Sequence, residues 1–328
     1  MGEPVKKVRT EERSREKFDY GQLIGKYNLV ILLVIFTAIA SILSPRFLTL
    51  QNFLNLLQQS SITGILAIGM TFVIITAGID LSVGSVVALA GMVVAILLDG
   101  GQSIALSILA ALAAGAALGF INGFISTKFT VPAFIVTLAM MVSARGLALL
   151  VTDGKPVFGL PQAFNFLGAG FIGVFPVSGL LWIALTIVAA LALKYTPFGR
   201  NLYAVGGNPE AAHLSGIRVN FHLISVYVIS GIMAALAGVV MASWLTVGQP
   251  TAAKGAELDA IAAVVLGGTS LFGGTGGVGG TFIGVLLMSI ITNIFNLLGL
   301  ASYYQQIFMG LIIVLALILN RFVVGKKA

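Results

Sequence analysis

Few residues in this chain could carry out chemistry. There are no cysteines, which excludes disulfides, thiolate metal sites and a cysteine nucleophile. The two histidines, His213 and His222, lie near the same central polar loop, so a histidine-based metal site or proton relay within apolar segments is not expected. No acidic, basic or nucleophilic residues converge in the sequence. We therefore expect no catalytic residues and no metal site in this chain.

Asp80 is the acidic residue that most needs an explanation, because it interrupts a long apolar stretch. A carboxylate in hydrocarbon would cost about 2.5–3.5 kcal/mol or more, so Asp80 must face water, a partner or a helix end. One interpretation places Asp80 and Ser82 in a solute pathway or at its gate. The other makes them a cap for backbone N–H groups exposed where a helix restarts. The sequence leaves both interpretations open.

Neutral polar side chains are more numerous than charges in the apolar segments. Amides and hydroxyls hydrogen-bond a neutral polyol without fixing a charge, although helix–helix contacts explain each one singly. An ion-driven carrier usually needs an ionisable relay, which this chain hardly has. We therefore predict a pathway for a neutral polar solute. Its candidate residues are Gln58, Gln59, Asp80, Ser82, Asn293 and Asn296, and the other polar side chains in these segments include Thr63 and Asn122.

Composition indicates the class of protein. Hydrophobic residues make up 58% of the 328 residues and charged residues only 9%, whereas soluble domains carry roughly a quarter charged residues. Most of the chain is therefore expected to lie in lipid. The net charge of +7 is better explained by basic residues in the loops and tails of a membrane protein than by nucleic-acid binding.

The apolar segments predict an all-α polytopic membrane protein with about ten transmembrane helices, some short or broken. The predicted divisions are a basic tail at residues 1–26, a transmembrane domain at 27–322 and a short tail at 323–328. Eight crossings remain an alternative if residues 52–98 or 257–298 dip into the membrane without crossing it.

Sidedness follows from the basic residues. With the N-terminus inside, only Arg46, Lys155 and Lys254 lie in outside loops, Arg145 lies within a span, and the other basic residues lie inside. The excess of positive charge on cytoplasmic segments therefore places both termini and the central polar loop in the cytoplasm.

Two interrupted segments lie in corresponding parts of the two halves. Residues 71–76 and 262–266 are β-branched apolar runs that end in glycine and polar residues before a Gly-rich helix restarts. Such interruptions in two halves point to a solute pathway. Glu257 and Asp259 begin the second segment, a short weak span at 257–272, and suit the first turn of its helix. The Gly-rich residues 267–280 lack the lysine of a phosphate-binding loop, so ATP would have to bind another chain.

The central polar stretch, residues 194–218, contains a compact helix signal. Asn208 can cap a helix through its side-chain oxygen, and the proline that follows suits the first helical position. Glu210 then lies in the first turn, where the helix dipole favours negative charge, and Gly216 can end the helix in a left-handed cap. This predicts a helix of about two turns outside the hydrocarbon. Such a helix suits a membrane protein that is moved by a partner.

Several stretches together resemble the permease subunit of bacterial ATP-binding-cassette sugar importers, in the branch that includes ribose, xylose, arabinose and galactoside importers. They are residues 43–47, 52–59, 78–85, 206–212 with 214–217, 257–270, and 297–299 with 302–304. The resemblance implies a homodimer in the bacterial cytoplasmic (inner) membrane, with separate cytoplasmic ATPase subunits that bind ATP and Mg. It also implies an extracytoplasmic sugar-binding protein, membrane lipid around the chain, and no cofactor in this chain. The implied substrate is ribose or a related monosaccharide.

In importer permeases the coupling loop carries Glu-Ala-Ala, then three residues, then Gly, and this chain matches that spacing. The longer importer pattern continues to Ile-x-Leu-Pro, whereas residues 226–229 here read Val-Tyr-Val-Ile without proline, as in the degenerate loop of the ribose-type branch. The resemblance implies that the ATPase-coupling residues are Asn208, Glu210, Ala211, Ala212, His213, Gly216 and Arg218.

Two other classes of function make different demands on the sequence. An ion-coupled secondary transporter of a neutral polar solute would work without an ATPase partner and would need an essential carboxylate in the membrane. A membrane-embedded enzyme would need a convergent catalytic set, which the sequence lacks. The chain is therefore expected to be a transport subunit and not an enzyme.

Overall fold

Helices make up most of the computed structural model, which describes residues 20–301, 303–308, 310–311 and 314, with side chains from residue 29 onward. The helices are α1 (Tyr20–Leu43), α2 (Leu50–Ile75), α3 (Val83–Asp99), α4 (Ile104–Lys128), α5 (Ala133–Leu150), α6 (Gln162–Ala169), α7 (Val177–Tyr195), α8 (Pro197–Gly207), α9 (Pro209–Leu214), α10 (Val219–Leu245), α11 (Ala256–Leu266) and α12 (Val278–Leu297). Strand β1 (Val157–Phe158) pairs antiparallel with β4 (Val247–Gly248), and β2 (Phe171–Ile172) pairs antiparallel with β3 (Phe175–Pro176).

Six helices in the described part of the chain are long and apolar enough to cross a membrane, namely α2, α4, α5, α7, α10 and α12. Two further apolar helical segments, Leu29–Leu43 of α1 and all of α3, are shorter. The all-α, multi-pass membrane fold is thus confirmed. Ten crossings and cytoplasmic termini stay predictions. Residues 1–19, most of residues 302–322 and the tail at 323–328 lie outside the described residues.

The two interruptions predicted from the sequence are real helix ends. α2 ends at Ile75 and α3 begins at Val83, with Ala77 between them at a φ of 59°. α11 ends at Leu266, and Gly268, two residues later, is the first of several glycines with positive φ in the segment before α12. With 11 residues, α11 is about 16 Å long. The helix itself is therefore shorter than a hydrocarbon core of about 30 Å, and the span predicted at 257–272 is helical only as far as Leu266.

The N-terminal ends of α3 and α11 meet beside α5. Arg145 of α5 donates hydrogen bonds to the carbonyls of Pro250 and Ala252, just before α11, at 3.0 and 2.8 Å. It also donates to the carbonyl of Gly84, in the first turn of α3, at 3.3 Å. The Glu257 carboxylate attracts this guanidinium electrostatically. A span arginine needs such partners, so Arg145 holds the two short helices together.

α10 runs through the middle of the bundle and packs against α2, α3 and α4, where the main apolar core lies. Its closest partner is α4, whose residues Gly115, Gly119 and Gly123 lie directly on the α10 backbone. A Cβ atom at Gly119 would meet the backbone of Tyr227. Small residues at this spacing let two membrane helices approach closely.

Gly119→Ala is expected to lower the stability of the folded chain by about 1–3 kcal/mol, because the added methyl group overpacks the α4–α10 contact. Gly146→Ala on α5 is the matched control, since a Cβ atom there meets nothing within 4 Å and both changes improve helix propensity. Thermal unfolding of the two purified variants in detergent measures the difference. Equal melting temperatures would contradict the close contact.

Candidate functional site

The short helix predicted in the central loop is present as α9. Asn208 ends α8 and begins α9. Its backbone N–H donates to the Ala204 carbonyl at 3.1 Å, and its side-chain oxygen accepts from the N–H of Ala211 at 2.9 Å. Glu210 lies in the first turn, and Gly216 follows the helix with a φ of 83°. The predicted caps are therefore confirmed, and one residue joins α8 to α9.

Most of α9 faces outward. The exposed residues among those predicted to couple to a partner are Asn208, Glu210, Ala211, His213, Gly216 and Arg218, whereas Ala212 is buried. Leu214 is 82% exposed and belongs to the same outward-facing surface of α9. The sequence analysis did not select Leu214, although it lies four residues after Glu210 and therefore on the same face.

A polar cavity of about 160 Å³ lies between α2, α11 and α12. This volume is several times the roughly 30 Å³ that one water molecule occupies in the liquid. Its polar lining consists of Gln59, Thr63, Asp259, Ser289, Thr292 and Asn293. These amides, hydroxyls and one carboxylate can together donate and accept hydrogen bonds. The cavity is therefore suited to a small polar molecule.

A larger cavity, of about 490 Å³, lies between α1, α2 and α12. It is lined mainly by apolar side chains, including Leu33, Phe53 and Ile290. Its lining suits hydrocarbon and not a polar solute.

Two of the predicted pathway residues, Gln59 and Asn293, lie together in the polar cavity. Gln59 is exposed. Asn293 is buried and exchanges two amide hydrogen bonds with Asn52, at 3.0 and 2.9 Å. This pair joins α2 to α12 at the edge of the cavity.

Two other predicted pathway residues lie outside the cavity lining. The Gln58 amide donates to the carbonyl of Gly168 in α6 at 2.8 Å. Asn296 is exposed and accepts a hydrogen bond from Gln305 at 2.8 Å. The structure thus gives each of these amides a partner within the chain.

Asp80 and Ser82 belong to a separate buried cluster at the turn between α2 and α3. One Asp80 oxygen accepts from the N–H and the hydroxyl of Ser82 at 3.0 and 2.6 Å, and the other accepts from the Ser230 hydroxyl of α10 at 2.8 Å. Asn122 of α4 donates to the Ser82 hydroxyl at 3.0 Å. These bonds tie the turn to α4 and α10. Asp80 accepts the Ser82 N–H, as its cap interpretation expects, whereas the Ser82 side chain makes no capping hydrogen bond to α3. A role of Asp80 in a pathway or gate stays a prediction.

The sequence analysis missed three polar residues of the cavity. Asp259 had been explained by its position in the first turn of α11. Ser289 and Thr292 of α12 were not selected, although Ser289 lies three residues before Thr292 and four before Asn293, a spacing that puts polar groups on one helix face. Within the described residues, no cluster of His, Asp and Glu could hold a metal ion.

Known proteins are similar to almost the whole chain. The family described as the permease component of branched-chain amino acid transport systems matches residues 52–317. The ribose import permease protein of Haemophilus influenzae is 44% identical over 317 residues, which cover 94% of this chain and 97% of that protein. The ribose import permease protein of Escherichia coli K12 is 46% identical over 310 residues, covering 93% and 96% of the two chains.

The D-allose transport system permease protein of Escherichia coli K12 is 38% identical over 320 residues, covering 97% of this chain and 98% of that protein. No solved structure matches the chain.

Proposed function

Since this chain belongs to the family of permease components of branched-chain amino acid transport systems, we propose that it is the membrane subunit of an ATP-driven importer of ribose or a related monosaccharide. The observation that carries this proposal is the similarity, at 44% and 46% identity over more than nine-tenths of the chain, to two ribose import permeases. The chain resides in the bacterial cytoplasmic (inner) membrane.

The polar cavity between α2, α11 and α12 is the proposed contact site for the sugar. Gln59 and Ser289 can both donate and accept hydrogen bonds, as sugar hydroxyls do, and Asp259 can accept from two hydroxyls. Five of the six polar side chains are neutral amides or hydroxyls, which orient a neutral polyol without demanding a charge on it. The predominance of uncharged polar groups therefore fits a monosaccharide better than an ion.

Three partners are proposed for this chain. A cytoplasmic ATPase subunit, which holds ATP and Mg, would cover the exposed surface of α9, including Glu210 and Leu214. An extracytoplasmic sugar-binding protein would deliver the substrate to the opposite face, and a second copy of this chain would complete a homodimer. ATP hydrolysis then takes place in a partner, and this chain is a transport subunit without its own cofactor.

Glu210→Lys is expected to weaken binding of the ATPase subunit at least about tenfold, because it reverses a charge in the contact and opposes the helix dipole of α9. Co-purification of the ATPase from native membranes measures this binding. Asp99→Lys makes the same change in charge at the exposed end of α3, which contains no predicted coupling residue, and should retain the ATPase. A wild-type chain that purifies without an ATPase, or a Glu210→Lys chain that keeps it as Asp99→Lys does, would contradict the proposal.

An ion-coupled secondary transporter is the alternative function, and its requirements differ at two points. It needs no ATPase on α9, and it needs a membrane carboxylate that binds and releases a proton or sodium ion. Asp80, the first candidate for that carboxylate, already accepts three hydrogen bonds from serine groups. The similarity to ribose import permeases also argues against this alternative.

A further inference from the structure

The last turn of α8 lies against the end of α2. The Ile75 carbonyl belongs to the final turn of α2, where carbonyls have no partner within the helix, and it accepts a hydrogen bond from the N–H of Gly274 at 2.9 Å. A Cβ atom at Gly206 would collide with that same carbonyl and would lie 2.8 Å from the Gly274 nitrogen. Gly206, Ile75 and Gly274 therefore form a backbone-to-backbone contact, which we call the joint. A side chain at position 206 would not fit in it.

A second contact lies about one turn earlier on α8. The hydroxyl of Tyr203 donates to the carbonyl of Gly276 at 2.9 Å. Burial raises the pKa of the Tyr203 phenol, so the hydroxyl stays a proton donor at neutral pH. The turn that carries Gly276 is itself closed by a hydrogen bond from the Ser270 N–H to the Thr275 carbonyl at 3.2 Å and one from the Gly273 N–H to the Ser270 carbonyl at 3.0 Å. Because these two hydrogen bonds close the turn, we expect it to move as a rigid unit.

The joint contains the end of α2 and the middle of the turn that connects α11 to α12, the other two helices of the polar cavity. α2 ends at Ile75, α11 ends at Leu266 immediately before the glycine-rich turn, and α12 begins immediately after that turn at Val278. On the other side, Asn208 is both the last cap of α8 and the first cap of α9. A movement of α9 therefore reaches the joint through a single shared residue.

We propose that Gly206 and Tyr203 are positioning residues that transmit movement of α9 to the helices of the polar cavity. The inference rests on the proposed function, because the ATPase subunit is the partner that would move α9. When α9 moves, α8 moves with it. The backbone at Gly206 then displaces the end of α2, and the hydrogen bond of Tyr203 displaces the turn between α11 and α12. Tightly packed groups move together and do not deform gradually. The close backbone packing at the joint therefore lets a movement of α8 displace α2.

The test uses the full complex of permease, ATPase subunit and sugar-binding protein in proteoliposomes, with D-ribose as the probe. The quantity measured is the amount of D-ribose transported per ATP hydrolysed. Gly206→Ala should lower this ratio at least about tenfold, and Tyr203→Phe about threefold, the range expected for residues that lie between two coupled sites. Both variants should still bind the ATPase, which a merely misfolded chain would not do.

Gly207→Ala is the matched control, because it adds the same methyl group to the next residue of α8, where a Cβ atom meets nothing within 4 Å. It should keep the wild-type ratio, since both alanines improve helix propensity equally. If Gly206→Ala does not assemble, Tyr203→Phe, which removes one hydroxyl, decides the matter. A wild-type ratio in every variant that assembles would overturn this inference alone. Absence of ATP-driven D-ribose uptake by the wild type would overturn the proposed function and this inference with it.

Discussion

Ser289→Leu is expected to reduce D-ribose uptake by about a hundredfold, because it removes a hydrogen-bonding hydroxyl and fills part of the polar cavity with an apolar side chain. The cavity measures only about 160 Å³, so a leucine on α12 leaves little room for a solute. Asp259→Asn keeps the shape of the lining and should reduce uptake less, by about tenfold, since an amide still accepts one hydrogen bond. Uptake of labelled D-ribose by the complex in proteoliposomes measures both effects.

Ser225→Leu provides the control for this experiment. The Ser225 hydroxyl donates to the Phe221 carbonyl of its own helix at 2.6 Å, and Ser225 does not line the polar cavity. The control should transport at the wild-type rate, and all three variants should retain the ATPase. Normal uptake by Ser289→Leu would remove the polar cavity from the pathway.

Asp80→Ala is expected to destabilise the folded chain by about 3 kcal/mol or more, because it leaves the N–H and hydroxyl of Ser82 and the hydroxyl of Ser230 without their acceptor in a buried site. Asp80 is 1% exposed, so bulk solvent does not reach these groups in the folded chain. Asp80→Asn keeps one acceptor oxygen and should restore part of the stability. Thermal unfolding of the purified variants measures the difference, and Asp99→Ala at an exposed helix end is the control.

The same two variants separate the interpretations of Asp80. If Asp80 is a structural cap, D-ribose uptake should fall together with the stability of the chain. Asp80→Asn should then recover part of the uptake and part of the stability that Asp80→Ala loses. If Asp80 is an ionisable gate, Asp80→Asn should abolish uptake while the chain remains stable. The hydrogen bonds to Ser82 and Ser230 lead us to expect the first result.

Local features of this structure could be predicted from the sequence, because their causes are local. The start of α9 depends on residues within one turn, since Asn208 caps it and Glu210 lies in its first turn. The ends of α2 and α11 were predictable for the same reason, because glycine and polar residues interrupt their apolar runs. The length of the second interrupted span was overestimated, since the span predicted at 257–272 continues six residues past Leu266, where α11 ends.

Contacts between distant residues could not be predicted in this way. Asp80 pairs with Ser230, which lies 150 residues away, and no pattern near either residue indicates the other. Gln59 and Asn293 were selected because polar groups are rare in spans, whereas Asp259 was not, since a helix start already explained it. Gly206 looked like one glycine among 40, and only the packing of α8 on α2 distinguishes it.

The most direct test of ATP-driven import is D-ribose uptake by purified chain in proteoliposomes, with and without the ATPase subunit and the sugar-binding protein. Uptake should require both partners and ATP, and it should persist when ionophores collapse the proton and sodium gradients. Uptake by the chain alone, driven by either gradient and insensitive to ATP, would contradict ATP-driven import and would make the chain an ion-coupled carrier.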